Sequence, residues 1–248
     1  MMSDNNTIYL VTGANRGIGL SIVTSLLQHP SVTVIATTRR SCSTSIPTHP
    51  TSKLITFLLD ESYPAINAAT IADRLRSEYG IDHLDVVIAN AGASSGFKDI
   101  LSTPAEDLLF DFTANSIGPV KLFHGVWPLL ETGREKKFVI ISSVMGAMSS
   151  LDEESLPGTA YGMSKAAVNW FGAKLAVEMK SKGLLVGILH PGWVKTSMGQ
   201  AVADAINYGG EIAMDTETSA KRIIERVDEL TAEKSGKFLN YDGKVLAW

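Results

Sequence analysis

Two side chains four residues apart are suited to proton transfer. Tyr161 and Lys165 stand in the segment AYGMSKA, where the residue pattern predicts a helix over 159–181. Residues spaced by four lie on the same helical face, so the phenol would stand beside the ammonium group. A neighbouring cation favours the ionised form of a phenol. The pair is therefore a candidate general acid with an assisting cation, and an ordinary helical pair without chemistry has the same spacing.

A glycine-rich turn near the N-terminus is suited to binding phosphate. It follows an apolar strand candidate at 8–11 and precedes a helical pattern that runs to residue 27. In this order, backbone N–H groups and a helix N-terminus meet where a phosphate can sit. The spacing is G-x3-G-x-G rather than the standard G-x-G-x-x-G, and a tight turn without a ligand stays open. The candidate ligands are Gly13, Asn15, Arg16, Gly17, Ile18 and Gly19.

The next strand candidate, 32–37, bears on the choice of nucleotide. NAD sites usually carry Asp or Glu near the end of this strand to bind the ribose 2′-hydroxyl, whereas this sequence continues with Thr38 and Arg39. A guanidinium group recognises phosphate through paired hydrogen bonds, and Arg16 would add a second cation. We therefore expect NADP(H), and a pair of solvated surface arginines is the alternative.

Two later strand ends also contain candidate nucleotide ligands. Asp60 follows the third strand candidate and is placed to accept a hydrogen bond from the adenine amine, or else to cap the next turn. Asn90, Ala91 and Gly92 follow the fourth strand candidate. Such small residues let the backbone approach a flat ligand closely.

The alternation of strands and helices predicts the fold class. Strand candidates fall at 8–11, 32–37, 54–59, 84–89, 138–141, 184–189 and 236–241. Helical patterns between them indicate parallel strands with helices on both faces. We expect an α/β fold, a single Rossmann-type doubly wound domain over 1–248 with a mostly parallel seven-stranded sheet. Within it, Asn115 breaks a helical region at 104–130, and the weakly patterned segment 197–216 is a candidate substrate flap.

Composition narrows the class of partner. The 248 residues are 45% hydrophobic and 19% charged with a formal net charge of -4, which gives no electrostatic reason to expect nucleic acid or an anionic membrane. No apolar run approaches the roughly 18 residues of a membrane span, and the N-terminus lacks the features of a signal peptide. The single cysteine, Cys42, cannot form an internal disulfide. These features lead us to expect a cytoplasmic protein. The five histidines show no metal-ligand spacing, so we expect no metal site.

Taken in chain order, the motifs resemble the short-chain dehydrogenase/reductase family. The family pattern is T-G-x3-G-x-G, then N-A-G, a serine, Y-x3-K and P-G. It matches this sequence at 12–19, 90–92, Ser143, 161–165 and 191–192. The resemblance covers essentially the whole length. The ending GKFLNYDG is similar to the branch of C-factor-like and sniffer-like carbonyl reductases, which norsolorinic acid ketoreductase-like proteins also resemble.

The resemblance implies catalytic roles for Asn115, Ser143, Tyr161 and Lys165. Hydride from a nicotinamide would attack a carbonyl carbon while Tyr161 protonates the oxygen, which requires a phenol more acidic than its ordinary pKa of about 10. Ser143 would donate a second hydrogen bond to that oxygen, and Asn115 would hold a water that links Lys165 to solvent. The resemblance also implies that the nicotinamide end of the cofactor is bound by Tyr161, Lys165, Pro191, Gly192, Val194 and Thr196.

The expected substrate is a small carbonyl compound. The gap between Ser143 and Tyr161 is longer than the family's usual spacing, so we expect the loop 145–158 to select the substrate. Large apolar side chains favour a hydrophobic ketone or aldehyde, aromatic ones included, and for each of them a core position is an equal alternative. The candidate pocket residues are Phe97, Met145, Met148, Trp193, Met198 and Tyr208.

Two other functions stay open. A nucleotide-binding redox sensor would use the fold without a proton donor, and a recruited enzyme would use the cofactor in a reaction without net redox. The intact catalytic set favours the reductase over the sensor. The helix at 159–181 is apolar on more than one face, and another subunit could cover the second face. A homodimer and a homotetramer are therefore candidate assemblies.

Overall fold

The computed structural model describes residues 6–38, 46–59, 68–151 and 156–248. Within these ranges one sheet contains seven strands, all paired in parallel in the order β3-β2-β1-β4-β5-β6-β7. The strands are β1 (Thr7–Val11), β2 (Val32–Thr38), β3 (Lys53–Leu58), β4 (Val86–Ala89), β5 (Lys137–Ile141), β6 (Leu185–His190) and β7 (Phe238–Asn240). The prediction of a Rossmann-type α/β fold is confirmed.

Burial on both faces explains the composition of the central strands. Every residue of β2, β4 and β5 is buried, as expected for parallel strands that are covered on both sides and rich in β-branched residues. β3, at one edge of the sheet, includes exposed positions. β4 and most of β5 therefore appear in the sequence as continuous apolar runs, whereas β2 includes three buried threonines.

Helices pack on both faces of the sheet. They are α1 (Gly17–Leu26), α2 (Ala68–Tyr79), α3 (Ala105–Phe112), α4 (Gly118–Leu130), α5 (Thr159–Glu178), α6 (Ser197–Ala205) and α7 (Thr216–Asp228). Residues of α2, α4 and α5 join one core cluster with Ile8 and Leu10 of β1. Residues of α1 and α7 join a second cluster with Tyr9 and Val11. Since neighbouring residues of a strand point to opposite faces, the two clusters lie on opposite sides of the sheet.

A π-helical turn, Thr113–Ile117, connects α3 to α4. The sequence predicted a break in the helical region at Asn115, and this turn is the form that the break takes. Single π turns inside α-helices widen the backbone locally and occur often at functional sites. The turn places Asn115 in the buried interior beside α5.

The segment 197–216 contains a helix that the sequence pattern does not predict. α6 occupies its first nine residues, and the Thr196 hydroxyl caps it by accepting from the N–H of Gly199 at 3.0 Å. The signal that could have revealed it is the spacing by four of the apolar residues Met198 and Val202, which continues to Ile206 at the C-cap. No helix in the described ranges is long and apolar enough to span a membrane.

The strand order positions the site. The chain moves outward from β1 to β2 and β3, then returns to the other side of β1 with β4. The carboxyl ends of β1 and β4 are therefore the point where the topology reverses. In open α/β sheets, ligands bind in the crevice at such a point.

Candidate active site

The glycine turn after β1 forms one part of a cleft. Gly13 and Gly17 have φ angles of 64° and 57°, in the left-handed region that glycine adopts without strain. A Cβ on Gly19 would stand 2.4 Å from the carbonyl oxygen of Gly13, so α1 packs directly on the turn. The first turn of α1 has no side-chain cap and no acidic residue, which leaves its N–H groups to an anion. This arrangement fits a phosphate group.

Thr12 and Asn90 hold the ends of β1 and β4 together. The Thr12 hydroxyl accepts from the backbone N–H of Asn90 at 3.0 Å and of Ala91 at 2.9 Å. The Asn90 side-chain amide donates back to the carbonyl oxygen of Thr12 at 2.9 Å. A Cβ on Gly13 would lie only 2.9 Å from the Cα of Ala91. The backbone segments that follow β1 and β4 are therefore packed tightly against each other at the topological switch point.

A cleft of about 1300 Å³ follows the carboxyl ends of the strands. It is lined by every predicted cofactor residue that the structure describes, namely Gly13, Asn15, Arg16, Gly17, Ile18, Gly19, Thr38, Asn90, Ala91, Gly92, Tyr161, Lys165, Pro191, Gly192, Val194 and Thr196. Ser143 lines it as well, whereas Asn115 is buried next to it. Arg39 and Asp60 lie outside the described residues.

Tyr161 and Lys165 both enter the cleft from α5, and both are buried. The Nζ atom of Lys165 lies 5.5 Å from the centroid of the Tyr161 ring. It donates to the carbonyl oxygen of Ile141, the last residue of β5, at 2.9 Å. A Cβ on Gly92 would lie 3.7 Å from the same Nζ. The ammonium group is therefore held between α5, β5 and the backbone that follows β4.

Ser143 stands just beyond the end of β5. Its Oγ accepts from the backbone N–H of Met145 at 3.2 Å, and its hydroxyl lies near enough to the phenol of Tyr161 to lower the pKa of that phenol. The oxygen accepts from Met145, and the rotatable hydroxyl hydrogen is available to an acceptor in the cleft. Ser143 and Tyr161 thus present two hydroxyl groups at one place, suited to a single carbonyl oxygen.

The side chain of Asn115 bonds protein groups on two neighbouring elements. Its Oδ1 accepts from the N–H of Ala93 at 2.9 Å, and its Nδ2 donates to the carbonyl oxygen of Ala93 at 2.8 Å. Nδ2 also donates to the hydroxyl of Ser164 at 2.9 Å. Asn115 therefore joins the loop after β4 to α5, and the water that the resemblance implies for it stays a prediction.

Aromatic side chains surround the phenol end of the cleft. The rings of Phe97 and Tyr161 meet edge-on with 5.7 Å between centroids, and those of Trp193 and Tyr208 lie 4.9 Å apart. Met148 does not line the cleft, because its side chain points outward and is 74% exposed. Of the six predicted pocket residues, those that line the cleft are Phe97, Met145, Trp193, Met198 and Tyr208.

Comparison with known proteins identifies the family. Residues 7–207 match the family model described as short chain dehydrogenase. The chain belongs to this family. It is similar to the norsolorinic acid ketoreductase of Aspergillus parasiticus, with 34% identity over 251 residues that cover 98% of this chain and 91% of the relative.

Two solved structures are similar to this short-chain dehydrogenase over 98% of its length. One is the carbonyl reductase Sniffer of D. melanogaster, with a TM-score of 0.80, 25% identity, and coverage of 98% of this chain and 99% of that one. The other is an NADPH-bound carbonyl reductase from chicken fatty liver, with a TM-score of 0.79, 28% identity and the same coverage. The predicted family is confirmed, and this short-chain dehydrogenase is an oxidoreductase.

Burial shifts the proton affinities in the cleft of this short-chain dehydrogenase. The pKa of Tyr161 is raised above its ordinary value by burial and by the charge of Asp111, while the hydrogen bond with Ser143 lowers it. Burial lowers the pKa of Lys165 to about 8, and Asp111 opposes this. The sequence analysis expects a phenol more acidic than usual, whereas the chain alone raises the pKa of Tyr161, because a buried phenolate is poorly solvated.

Several cleft residues of the short-chain dehydrogenase were not predicted, among them Phe110, Leu156, His190, Val202 and Ile206. His190 ends β6, directly before the predicted Pro191, and its position at a strand end was the available signal. Burial lowers the pKa of His190 to about 4, so its ring is neutral near pH 7. Across the described ranges, no three His, Cys, Asp or Glu side chains form a group that could hold a metal ion.

Proposed function

We propose that this protein reduces the carbonyl group of a hydrophobic ketone or aldehyde, aromatic ones included, with NADPH, and that Tyr161 donates the proton. One observation carries the proposal. The phenol of Tyr161 shares a single cleft with Ser143, Lys165 and an uncapped helix N-terminus behind a glycine turn. A proton donor beside a second hydroxyl suits a carbonyl oxygen, and the glycine turn suits a dinucleotide.

The cleft residues fit NADP(H). Gly13, Gly17 and Gly19 line the cleft at the start of α1, where the lack of side chains lets a pyrophosphate approach the backbone closely. β2 ends at Thr38 without a carboxylate, and the exposed guanidinium of Arg16 lies in the cleft, 3.4 Å from the Ser197 hydroxyl. The similar chicken carbonyl reductase binds NADPH. When bound, the nicotinamide supplies the hydride.

Tyr161 is suited to give up a proton to a newly formed alkoxide. Its raised pKa keeps the phenol protonated at neutral pH, which is the state that a donor needs. Ser143 is placed to donate its one hydroxyl hydrogen to the same substrate oxygen, or to the phenol oxygen of Tyr161 when no substrate is present. The two hydroxyls together would stabilise the negative charge that develops on the substrate oxygen.

Lys165 is suited to return a proton to the site. With a pKa of about 8, its Nζ exchanges protons near neutral pH, and its bond to Ile141 holds it under the phenol ring. Asn115 fixes the neighbouring loop at Ala93. The pKa and position of Lys165 support a role in proton supply. The hydrogen bonds of Asn115 support a role in holding the site together.

The substrate part of the cleft is apolar and aromatic. Phe97 contacts the Tyr161 ring from one direction, and the paired rings of Trp193 and Tyr208 line the cleft as well. Aromatic rings favour edge-on or offset contacts with another flat ring. We therefore propose that these three side chains receive an aromatic or otherwise apolar carbonyl compound.

The test of the reaction is the loss of NADPH absorbance with a panel of ketones and aldehydes. We expect Tyr161→Phe to lower kcat by at least about 100-fold, since it removes the proton donor. Tyr79→Phe is the matched control, because it removes a hydroxyl that binds the carbonyl oxygen of Thr56 on β3, outside the cleft. If no carbonyl compound is turned over, or if the Tyr161→Phe protein is as active as the parent, the proposal fails. NADPH binding without turnover would favour a redox sensor.

The test of the substrate class uses two tryptophans. We expect Trp193→Ala to raise KM for an aromatic ketone about tenfold, through loss of ring contact and burial, with a smaller change for a short aliphatic ketone. Trp170→Ala is the control, since Trp170 lies on α5 outside the cleft and is largely exposed. Equal changes in KM for both ketones would remove Trp193 from the substrate contact.

A further inference from the structure

Asp111 is a buried acid beside the proposed proton donor. It lies on α3, one helical turn before Asn115, and is fully buried. Its Oδ1 accepts from the backbone N–H of Ser95 at 2.7 Å. Asn115 binds Ala93 of the same loop through two hydrogen bonds. Two side chains on one face of the helix thus hold the loop at points two residues apart.

Half of this carboxyl group has no hydrogen bond. In the described part of the chain, Asp111 Oδ2 and Ser95 Oγ are buried polar atoms without a partner. The Ser95 hydroxyl faces the carboxyl without reaching hydrogen-bond geometry, yet it favours the ionised form. A buried carboxylate oxygen left unpaired is destabilising. Holding the loop requires only one acceptor, which an asparagine would supply at a lower cost. Folding stability therefore gives no account of the charge.

Asp111 is placed to act electrostatically on two groups of the proposed reaction. α3 packs on α5, which carries Tyr161 and Lys165. The Asp111 carboxylate raises the pKa of both groups. Its own pKa is raised by burial, with Ser95 lowering it, Asp107 raising it and Lys165 lowering it. Asp107 is in turn paired with Lys98 at 2.6 Å.

We propose that Asp111 is a positioning residue of the reaction, whose buried carboxylate holds the proton on Tyr161 and the positive charge on Lys165. This inference rests on the proposed function. In the ionised form, the carboxylate opposes a second negative charge on the phenol and favours a cation at Nζ. In the neutral form, its O–H group can donate to the Ser95 hydroxyl, and the electrostatic hold on the pair is lost. Asp111 thereby couples the charge of the proton donor to the loop that follows β4.

A first experiment needs no substrate. The side-chain NMR signal of Lys165 is followed against pH in lysine-labelled protein and is assigned by its absence in Lys165→Met. We expect a titration midpoint near the pKa of about 8 in the parent, and a midpoint lower by about half a pH unit or more in Asp111→Asn. Asp111→Asn retains an oxygen to accept from Ser95 and removes the negative charge. Glu106→Gln, on the exposed face of the same helix, is the matched control.

A second experiment uses turnover. The pH profile of kcat/KM for reduction should fall at a lower pH in Asp111→Asn than in the parent, because Tyr161 loses its proton more easily. Ser95→Ala should shift both measurements in the same direction by a smaller amount, since it removes the hydroxyl that favours ionised Asp111. It also keeps the test available if Asp111→Asn does not fold.

The outcomes are separable. An unchanged Lys165 midpoint in folded Asp111→Asn overturns the inference, as does a uniform loss of activity at every pH with an unmoved profile. A shifted midpoint in a protein that reduces no carbonyl compound would keep the coupling and overturn the proposed function instead. A shift of equal size in Glu106→Gln would show a general charge effect and would also overturn the inference.

Discussion

The side-chain amide of Asn115 donates a hydrogen bond to the hydroxyl of Ser164, with 2.9 Å between Nδ2 and Oγ. Ser164 in turn donates to the carbonyl oxygen of Tyr161 at 2.7 Å. The hydroxyl of Ser116 binds the carbonyl oxygen of Ser164, also at 2.7 Å. The π-helical turn is thereby tied to the backbone of the residue that we propose as proton donor.

Asn115→Ala should destabilise the protein and impair the proposed reaction. It removes three hydrogen bonds, two to the half-buried Ala93 and one to the Ser164 hydroxyl, which keeps its bond to Tyr161. Each bond contributes about 1 kcal/mol. We expect the free energy of unfolding, measured in urea, to fall by about 3 kcal/mol and kcat to fall at least about tenfold. Ser164→Ala keeps both bonds to Ala93 and should cost less. A fully stable and active Asn115→Ala protein would contradict this account.

Gly19→Ala should weaken the binding of NADPH. A Cβ there would stand 2.4 Å from the carbonyl oxygen of Gly13 and 2.5 Å from Nδ2 of Asn90, so the glycine turn must shift. We expect the Kd for NADPH, measured by fluorescence titration, to rise at least about tenfold as the phosphate contacts are lost. Gly209→Ala is the control, because a Cβ at Gly209 meets no atom within 4 Å. Unchanged NADPH binding by Gly19→Ala would place the phosphates elsewhere.

Arg16→Ala should reduce the preference for NADPH over NADH. The exposed Arg16 guanidinium lines the cleft at the start of α1, and a charge-assisted bond to a 2′-phosphate contributes about 1.5–3 kcal/mol. We expect at least a tenfold rise in the Kd for NADPH and little change for NADH. Arg39→Ala tests the residue that the sequence proposes for the same phosphate. Equal rises in the Kd for NADPH and for NADH in either variant would show that its arginine does not bind the 2′-phosphate. Arg222→Ala on α7 is the control, because Arg222 lies outside the cleft.

Asp85 should make stability depend on pH. Burial raises the pKa of its carboxyl, but bonds from the N–H groups of Ile8 and Arg134 and from the Arg134 guanidinium outweigh burial and lower the pKa overall. A lowered folded-state pKa contributes stability that is present above the ordinary value of about 4 and is lost as the pH falls below it.

The measurement compares Asp85→Asn with the parent in urea at pH 7 and pH 3. We expect a difference of about 2 kcal/mol in the free energy of unfolding at pH 7, from charged hydrogen bonds, and a smaller difference at pH 3. Asp73→Asn, which changes a largely exposed aspartate on α2, should show neither effect. A difference that stays constant with pH would show that the charge of Asp85 is not responsible.

The order of elements and the cleft they form follow from local signals. Continuous apolar runs predict the buried strands β4 and β5, since parallel strands covered on both faces need no alternation. Glycines after β1 predict the turn at the start of α1, because its left-handed φ angles admit few other residues. α6 escaped prediction because its apolar face is short, with Met198 and Val202 as the only large apolar residues of the helix.

What the sequence by itself determined is the set of motifs, the family and the fold, because each depends on spacing along the chain. Only the tertiary structure decided the direction of the shift in the pKa of Tyr161, the exposure of Met148 and the place of Asp111. All three depend on groups distant in sequence, and on how far burial removes water from a charge or an apolar side chain. Asp111 shows the difference most clearly, since it belongs to no motif and acts only because α3 packs against α5.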